Sequence, residues 1–263
     1  MQDNKKKVFI SDWELKRMAA SGRKPVLPEN AIVSPLSSDW LDYGGEGPRA
    51  GGGKEPGLRA QVADIGRRLH ALGFVPATDG NISARLCGGT VLITPSGASK
   101  GGLSPDAVSK IDMAGNLVSG KTPSSEYLLH LCIYNARPDV AAVVHAHPPV
   151  ATGLASAGVA LDKPLTSEMV IGLGRVPLAA YATPGTDEVA GSIAGLVRDH
   201  NAILLANHGV VTYGPDLETA FQRMETVEQA AKITLVAESL GGGRLIPPDK
   251  VKKLEEIRRR LGF

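Results

Sequence analysis

Aromatic rings are the scarcest building material in this chain. Phe, Trp and Tyr make up 4% of its 263 residues against 43% apolar residues in all, so a core has to be assembled from Ala, Val, Leu and Ile. Cysteine is nearly missing as well. Cys87 and Cys132 stand at unrelated positions within apolar contexts, which excludes a disulfide framework and predicts two buried thiols in a reducing compartment. Net charge is also lacking: 29 basic residues are offset by 27 acidic ones. That balance excludes a nucleic-acid footprint, because the basic runs at residues 5–7 and 258–260 are short and far apart in the chain. No stretch approaches the ~18 continuous apolar residues of a membrane span. The polar, basic start has no apolar segment behind it, so it does not read as a secretory signal. A cytoplasmic protein with neither nucleic acid nor membrane as partner is the expectation.

Glycine and proline, by contrast, are plentiful, at 31 and 18 residues. They concentrate in residues 44–56 (GGEGPRAGGGKEP), which read as a flexible linker between an N-terminal extension, 1–43, and a main domain, 57–263. The extension predicts one small helix over SDWELKRMAA, with Ser11 as its cap and Glu14 three residues on, and is too short to build much core alone. Beyond the linker, helical and strand-like patterns alternate. Residues 57–72 have helical periodicity, and NISARL and TVLITPS read as strands around a turn at Gly88-Gly89. A helix opens at Ser124-Ser125-Glu126 and stops before Pro138; AAVVHAH is a buried strand, and Pro148-Pro149 starts another helix. GRVPLAAYA, NAILLAN and VVTYG read as strands, and 185–199, 215–239 and 248–260 as helices. This order predicts an α/β fold, a mixed central sheet covered by helices.

The sharpest chemical signal is His145-Ala146-His147. Side chains alternate faces along a strand, so the two imidazoles share a face, as a pair of ligands to one divalent metal requires. His208, in Asn207-His208-Gly209 at the end of another strand, supplies a third imidazole and leaves positions for a carboxylate, substrate or water. Glu126 follows two serines at a helix start, where free amides and hydroxyls together suit a phosphate. His130, four residues on, shares its face and is taken as a supporting or structural residue; His70 and His200 are taken as ordinary helix residues. Thr78-Asp79-Gly80-Asn81 and Thr94-Pro95-Ser96-Gly97 read either as anion-directed loops or as plain turns. Lys100 reads as a phosphate contact or, the reading taken here, as a solvated lysine.

Together these segments resemble the class II aldolase/adducin family, and within it the members that cleave fuculose phosphate. The blocks are GNIS (80–83), ITPSG (93–97), PSSE (123–126), RPDVAAVVHAHP (137–148), YATPGT (181–186) and NHGVVTYG (207–214), matching in order and spacing. The resemblance implies a three-layer fold, a homotetramer with active sites at its interfaces, and a phosphorylated small sugar as substrate. It implies Glu126, His145, His147 and His208 as ligands to zinc, with manganese or another divalent ion as alternatives, and Gly80, Asn81, Ser96, Gly97, Ser124 and Ser125 as the phosphate site. The implied reaction is retro-aldol cleavage of a ketose 1-phosphate of the fuculose or rhamnulose type to dihydroxyacetone phosphate and lactaldehyde, with Glu126 moving the proton.

One departure stands out. Fuculose-phosphate aldolases carry a tyrosine from the neighbouring subunit between the His-x-His strand and the YAT segment, whereas residues 148–180 contain none. Glu168 lies in that interval, either as the replacement acid/base or as a surface carboxylate. Alternative chemistries of the family therefore stay open: dehydration of the methylthioribulose-phosphate type, decarboxylation of a phosphorylated sugar acid, or a non-catalytic adducin-like assembly module. The extension resembles the short N-terminal elements of some bacterial microcompartment enzymes, so residues 1–43 read as a targeting element or as a simple tail.

Overall fold

The computed structural model describes residues 8–10, 31–33 and 55–261. The chain falls into two compact units, 1–52 and 53–263. In the first, β1 (Val8–Ile10) and β2 (Ala31–Val33) pair in parallel, with Val8 opposite Ala31. The helix expected over SDWELKRMAA lies outside the described residues.

The second unit begins with α1 (Glu55–Ala71), two residues earlier than expected. Glu55 and Pro56, read as linker, open the helix instead. Proline costs nothing in a first turn, where its missing N–H would have no partner, and Glu55 holds Arg59 one turn on at 2.7 Å. There follow β3 (Asn81–Leu86), β4 (Thr90–Ile93), a 3₁₀ turn (Pro105–Ala107), β5 (Ser109–Asp112) and β6 (Leu117–Ser119). Next come α2 (Tyr127–Ala136), β7 (Ala142–Ala146), α3 (Pro149–Ser156), α4 (Ser167–Gly172), β8 (Leu178–Ala179) and α5 (Asp187–Ile193). β9 (Ala202–Leu205), β10 (Gly209–Gly214), α6 (Leu217–Ser239) and α7 (Pro248–Leu261) complete the unit.

Eight strands form one sheet in the order β6-β5-β4-β3-β7-β10-β9-β8. Every pairing is antiparallel except β8 with β9, so the sheet is mixed, as the sequence predicts. Strand alternation then divides the apolar side chains between two layers. Ala142, Val144 and Ala146 of β7 join one core with residues of α1, α3 and α6, including Leu69, Ala151 and Phe221. Val143 joins a second core with Ile133 and Tyr134 of α2 and Val189 and Ile193 of α5. His145 has the parity of Val143, so it faces the α2 layer.

The sequence reading passes over β5 and β6. These strands are short, the second exposed throughout, and what joins them is a turn in which Asp112 Oδ1 accepts from the backbone of Ala114 and Asn116, both at 2.9 Å. α5 stops at Ile193 where a helix to residue 199 was expected, in a segment that carries Gly191 and Gly195. His200 therefore lies in the turn before β9 rather than on a helix, its Nδ1 3.1 Å from Arg175 O. The expected strand GRVPLAAYA shrinks to Leu178–Ala179. Cys132 is half-buried but Cys87 is exposed, because the latter sits in the β3–β4 turn rather than within a strand.

Directly after the second site histidine, α3 begins against a buried carboxylate. Glu228, 2% exposed on α6, accepts the backbone N–H of Ala151 at 2.9 Å and of Val150 at 3.2 Å. These donors belong to the first turn of α3 and have no partner within their own helix. Glu228→Ala leaves them buried and unpaired, and is expected to lower unfolding stability by ~2–4 kcal/mol, read from urea denaturation.

Candidate metal centre

Three strand ends converge at one edge of the β3–β7–β10 region. β7 ends at Ala146 with His145 as its penultimate residue and His147 just beyond, and β10 begins at Gly209, one residue after His208. Register places His145 between Asn81 on β3 and Val211 on β10. The three ring centroids stand 4.7, 4.9 and 5.2 Å apart, and one nitrogen from each ring lies within 4.8 Å of the others. Among the described residues these three histidines form the one such group of metal-ligating side chains.

Local backbone makes the approach possible. A Cβ on Gly209 would lie 2.5 Å from His147 Cδ2 and 2.7 Å from Ala146 O, so only glycine lets the strands meet here. Gly80 is required twice over: its φ is +68°, and a Cβ would lie 2.7 Å from His145 O. His208 follows Asn207 at φ 53°, a left-handed conformation that Asn tolerates better than most residues.

The outward ring nitrogens of His145 and His147 face acceptors, and this decides which of their nitrogens face inward. His145 Nδ1 lies 2.9 Å from Val210 O and is read as donating to it, which leaves Nε2 as a lone pair. His147 Nδ1 lies 3.4 Å from Asp79 Oδ2, while its Nε2 stands 3.1 Å from His145 Nε2. Burial pushes the His145 imidazole down to about 3 and holds His147 below the ordinary imidazole range, so both are neutral and able to bind metal at neutral pH.

Glu126 caps α2 without acting as its hydrogen-bonding cap. Its carboxylate turns to the imidazoles instead, with Oε2 3.4 Å from His145 Nε2 and Oε1 3.2 Å from His208 Nε2. Behind it runs a buried polar chain. Asn81 Nδ2 donates to Glu126 Oε2 at 2.7 Å, and Asn81 Oδ1 takes a short hydrogen bond from His130 Nε2. Ser83 Oγ lies 2.6 Å from His130 Nδ1 and 2.7 Å from Tyr134 Oη. One direction satisfies every member: Tyr134 donates to Ser83, Ser83 to His130, His130 to Asn81 and Asn81 to Glu126. It requires a neutral His130, and burial pushes that imidazole down to about 4. Burial is also the largest influence on Glu126 and acts to raise it. His145, His208 and Asn81 outweigh that influence and hold it below the usual carboxylate range.

Glu126 Oε1 is buried and has no hydrogen-bond partner among the described residues. A buried carboxylate oxygen without a hydrogen bond, beside three imidazoles whose nitrogens converge, is the donor set of a divalent cation, and the residues fit one.

The expected phosphate residues lie on neighbouring loops. A bridge between Pro95 and Pro123 joins the ITPSG and PSSE segments, with Ser96 N donating to Thr122 O and Ser124 N to Thr94 O, both at 3.0 Å. Ser96, Gly97 and Ser125 are exposed, Ser124 and Gly80 are buried, and the side chain of Asn81 is spent largely on Glu126 and His130. Lys100, read from the sequence as solvated, is 2% exposed: its ammonium turns inward to carbonyls of both glycine loops. Glu168 stands exposed in the first turn of α4, whose cap Thr166 accepts from Met169 N at 3.3 Å, and it is not part of the histidine group. Asp79, Ser83 and Tyr134 are site residues that the sequence reading did not single out. Only Tyr134 carried a signal, since Glu126, His130 and Tyr134 recur every four residues on one helix face.

This geometry is that of a metal-dependent enzyme, and the chain belongs to the class II aldolase and adducin family. Residues 60–235 match its "Class II Aldolase and Adducin N-terminal domain". The chain is 37% identical over 188 residues to the 3-oxo-tetronate 4-phosphate decarboxylase of Escherichia coli K12, covering 69% of this chain and 88% of that protein. It is 35% identical over 178 residues to the L-fuculose phosphate aldolase of Methanocaldococcus jannaschii, covering 68% and 96%. Among solved structures it is similar to YgbL of Escherichia coli. That match has a TM-score of 0.72 at 34% identity, over 76% of this chain and 99% of the other.

Asp79 reaches the metal group only through His147. Asp79→Asn is therefore expected to weaken divalent-metal affinity about 10–100-fold without unfolding the protein, measured by competition with a chelating dye.

Proposed function

We propose that this protein is a zinc-type carbon–carbon lyase that decarboxylates a phosphorylated 3-oxo sugar acid of the 3-oxo-tetronate 4-phosphate type. The sequence reading placed retro-aldol cleavage of a ketose 1-phosphate first and decarboxylation among its alternatives. The relatives named as decarboxylases support reversing that order. Homotetrameric assembly and a targeting role for residues 1–43 belong to the same proposal.

The two reactions are closer than their names suggest. A 3-oxo acid with a 2-hydroxyl and a 4-phosphate loses carbon dioxide to leave an electron pair on C2, beside the C3 ketone. Protonated there, the product is dihydroxyacetone phosphate. Retro-aldol cleavage of a ketose 1-phosphate leaves the same enediolate, with an aldehyde as the departing fragment. His145, His147 and His208 would hold a divalent cation, which when bound would supply Lewis-acid stabilisation for charge developing on the ketone oxygen.

What separates the reactions is one proton. The aldehyde departs only if a base takes the proton from its hydroxyl, the task of the family's tyrosine. A carboxylate departs already deprotonated and needs no such base. The single observation that carries the proposal is that Glu126 is the carboxylate set against the inward nitrogens of His145 and His208, at 3.4 and 3.2 Å, Asp79 standing behind His147, while residues 148–180 lack a tyrosine. Glu126 can supply the remaining proton. While it lies beside His145 and His208 it stays ionised. Displaced from them by substrate oxygens, it is left with burial, which favours the neutral acid, so it would take a proton from water and pass it to C2. Retro-aldol cleavage remains the second reading, favoured by the 35% identity to a fuculose-phosphate aldolase and dependent on Glu168 as base.

The metal-loaded protein is expected to convert 3-oxo-tetronate 4-phosphate to equimolar carbon dioxide and dihydroxyacetone phosphate, the latter carrying one deuterium when formed in D₂O. Faster release of dihydroxyacetone phosphate and aldehyde from fuculose 1-phosphate would restore the aldolase reading. A protein that binds no stoichiometric metal and turns over neither substrate would be an assembly module.

Glu126→Gln is expected to keep its metal and lose about 10²–10⁴-fold in kcat, measured on the same substrate. Unchanged turnover removes Glu126 from the proton path.

A further inference from the structure

Lys100 presents a charge problem that the metal group does not explain. It lies on the segment after the ITPSG loop, 2% exposed, and α1 covers it so closely that a Cβ on Gly66 would stand 3.1 Å from Lys100 O. Its ammonium donates to Thr78 O at 2.6 Å and to Ala98 O at 3.0 Å. Both acceptors are neutral carbonyls. An ammonium has three protons, and among the described residues the third has no acceptor. A buried cation without a direct ion pair is costly, and an anionic ligand reaching the third proton would offset that cost.

The two carbonyls locate that anion. Thr78 precedes Asp79 and Gly80 in the loop that carries the partner of His147, and Ala98 follows Ser96 and Gly97. Lys100 thus clasps from below the two loops whose glycines and serines are expected to meet the phosphate. We infer that Lys100 is a substrate-binding and positioning residue, fixing the spacing of the 76–80 and 95–98 loops with two of its protons and meeting the substrate phosphate with the third. Burial pushes its ammonium down to about 8, against the favourable charges of Asp79 and Glu126, neither of which it touches in an ion pair. The inference rests on the proposed phosphorylated substrate and adds a residue to its recognition.

Lys100→Gln separates the two roles, because a glutamine amide can still donate to the carbonyls but carries no charge. Inorganic phosphate serves as probe, titrated calorimetrically into full-length, metal-loaded protein. The parent is expected to bind it and Lys100→Gln to bind it at least about tenfold more weakly, ~1.4 kcal/mol. KM for the phosphorylated substrate should rise by a similar factor while kcat changes less than about threefold, and Lys100→Arg should recover most of the affinity. Equal phosphate affinity in parent and Lys100→Gln overturns the inference while leaving the proposed reaction intact. Failure of the parent to bind phosphate overturns both. Should the variants not fold, ¹⁵N-lysine-labelled parent protein gives the answer: saturating phosphate must move the Lys100 Nζ resonance, and a resonance that stays in place refutes the contact.

Discussion

The hydrogen bond from Asn81 to Glu126 is where the fold and the chemistry meet. Glu126 sits at the junction of a loop and α2, a position whose side chain has wide freedom, yet its carboxylate is held against two imidazoles. Asn81 imposes that orientation, and Asn81 is itself held by β3, whose register sets it opposite His145. A slip of one residue between β3 and β7 would turn Asn81 or His145 to the other face and separate carboxylate from metal group. The chain through His130, Ser83 and Tyr134 closes the remaining freedom, since each member has its donors and acceptors matched and none can rotate without leaving a buried polar atom unpaired.

Much of this was legible in the sequence, and the reasons are specific. The His-x-His pair announces itself because strand period and ligand spacing coincide, and buried runs such as AAVVHAH and NAILLAN have few alternatives to a central strand. β5 and β6 were not legible, because β5 is short, β6 is exposed throughout, and the device that joins them is a side-chain turn at Asp112. Asp79 and Ser83 were hidden for a different cause. Their roles are defined by atoms on other elements, His147 in one case and His130 with Tyr134 in the other, and no local spacing encodes a contact across 50 or 70 residues. Lys100 shows the limit of composition reasoning most plainly. A lysine in a Gly- and Ser-rich loop reads as solvated, and only the fold shows it turned inward under α1.

Lys100 and the histidine group also divide the work of charge. Decarboxylation proceeds as a carboxylate gives up its charge to the adjoining ketone, so a cation held against that carboxylate would stabilise the starting state more than the transition state and slow the loss of carbon dioxide. Positive charge helps at the ketone oxygen, where charge accumulates, and at the phosphate, where charge does not change. The three imidazoles place a cation for the first task, and Lys100, tied to the loops at Thr78 and Ala98, is suited to the second. The departing carboxylate end of the substrate then needs no charged partner of its own. A retro-aldol reaction makes the opposite demand on that end, because its leaving fragment must first surrender a proton to a base. One metal group and one phosphate cradle therefore serve either cleavage, and the outcome turns on whether a base stands at the far end of the substrate.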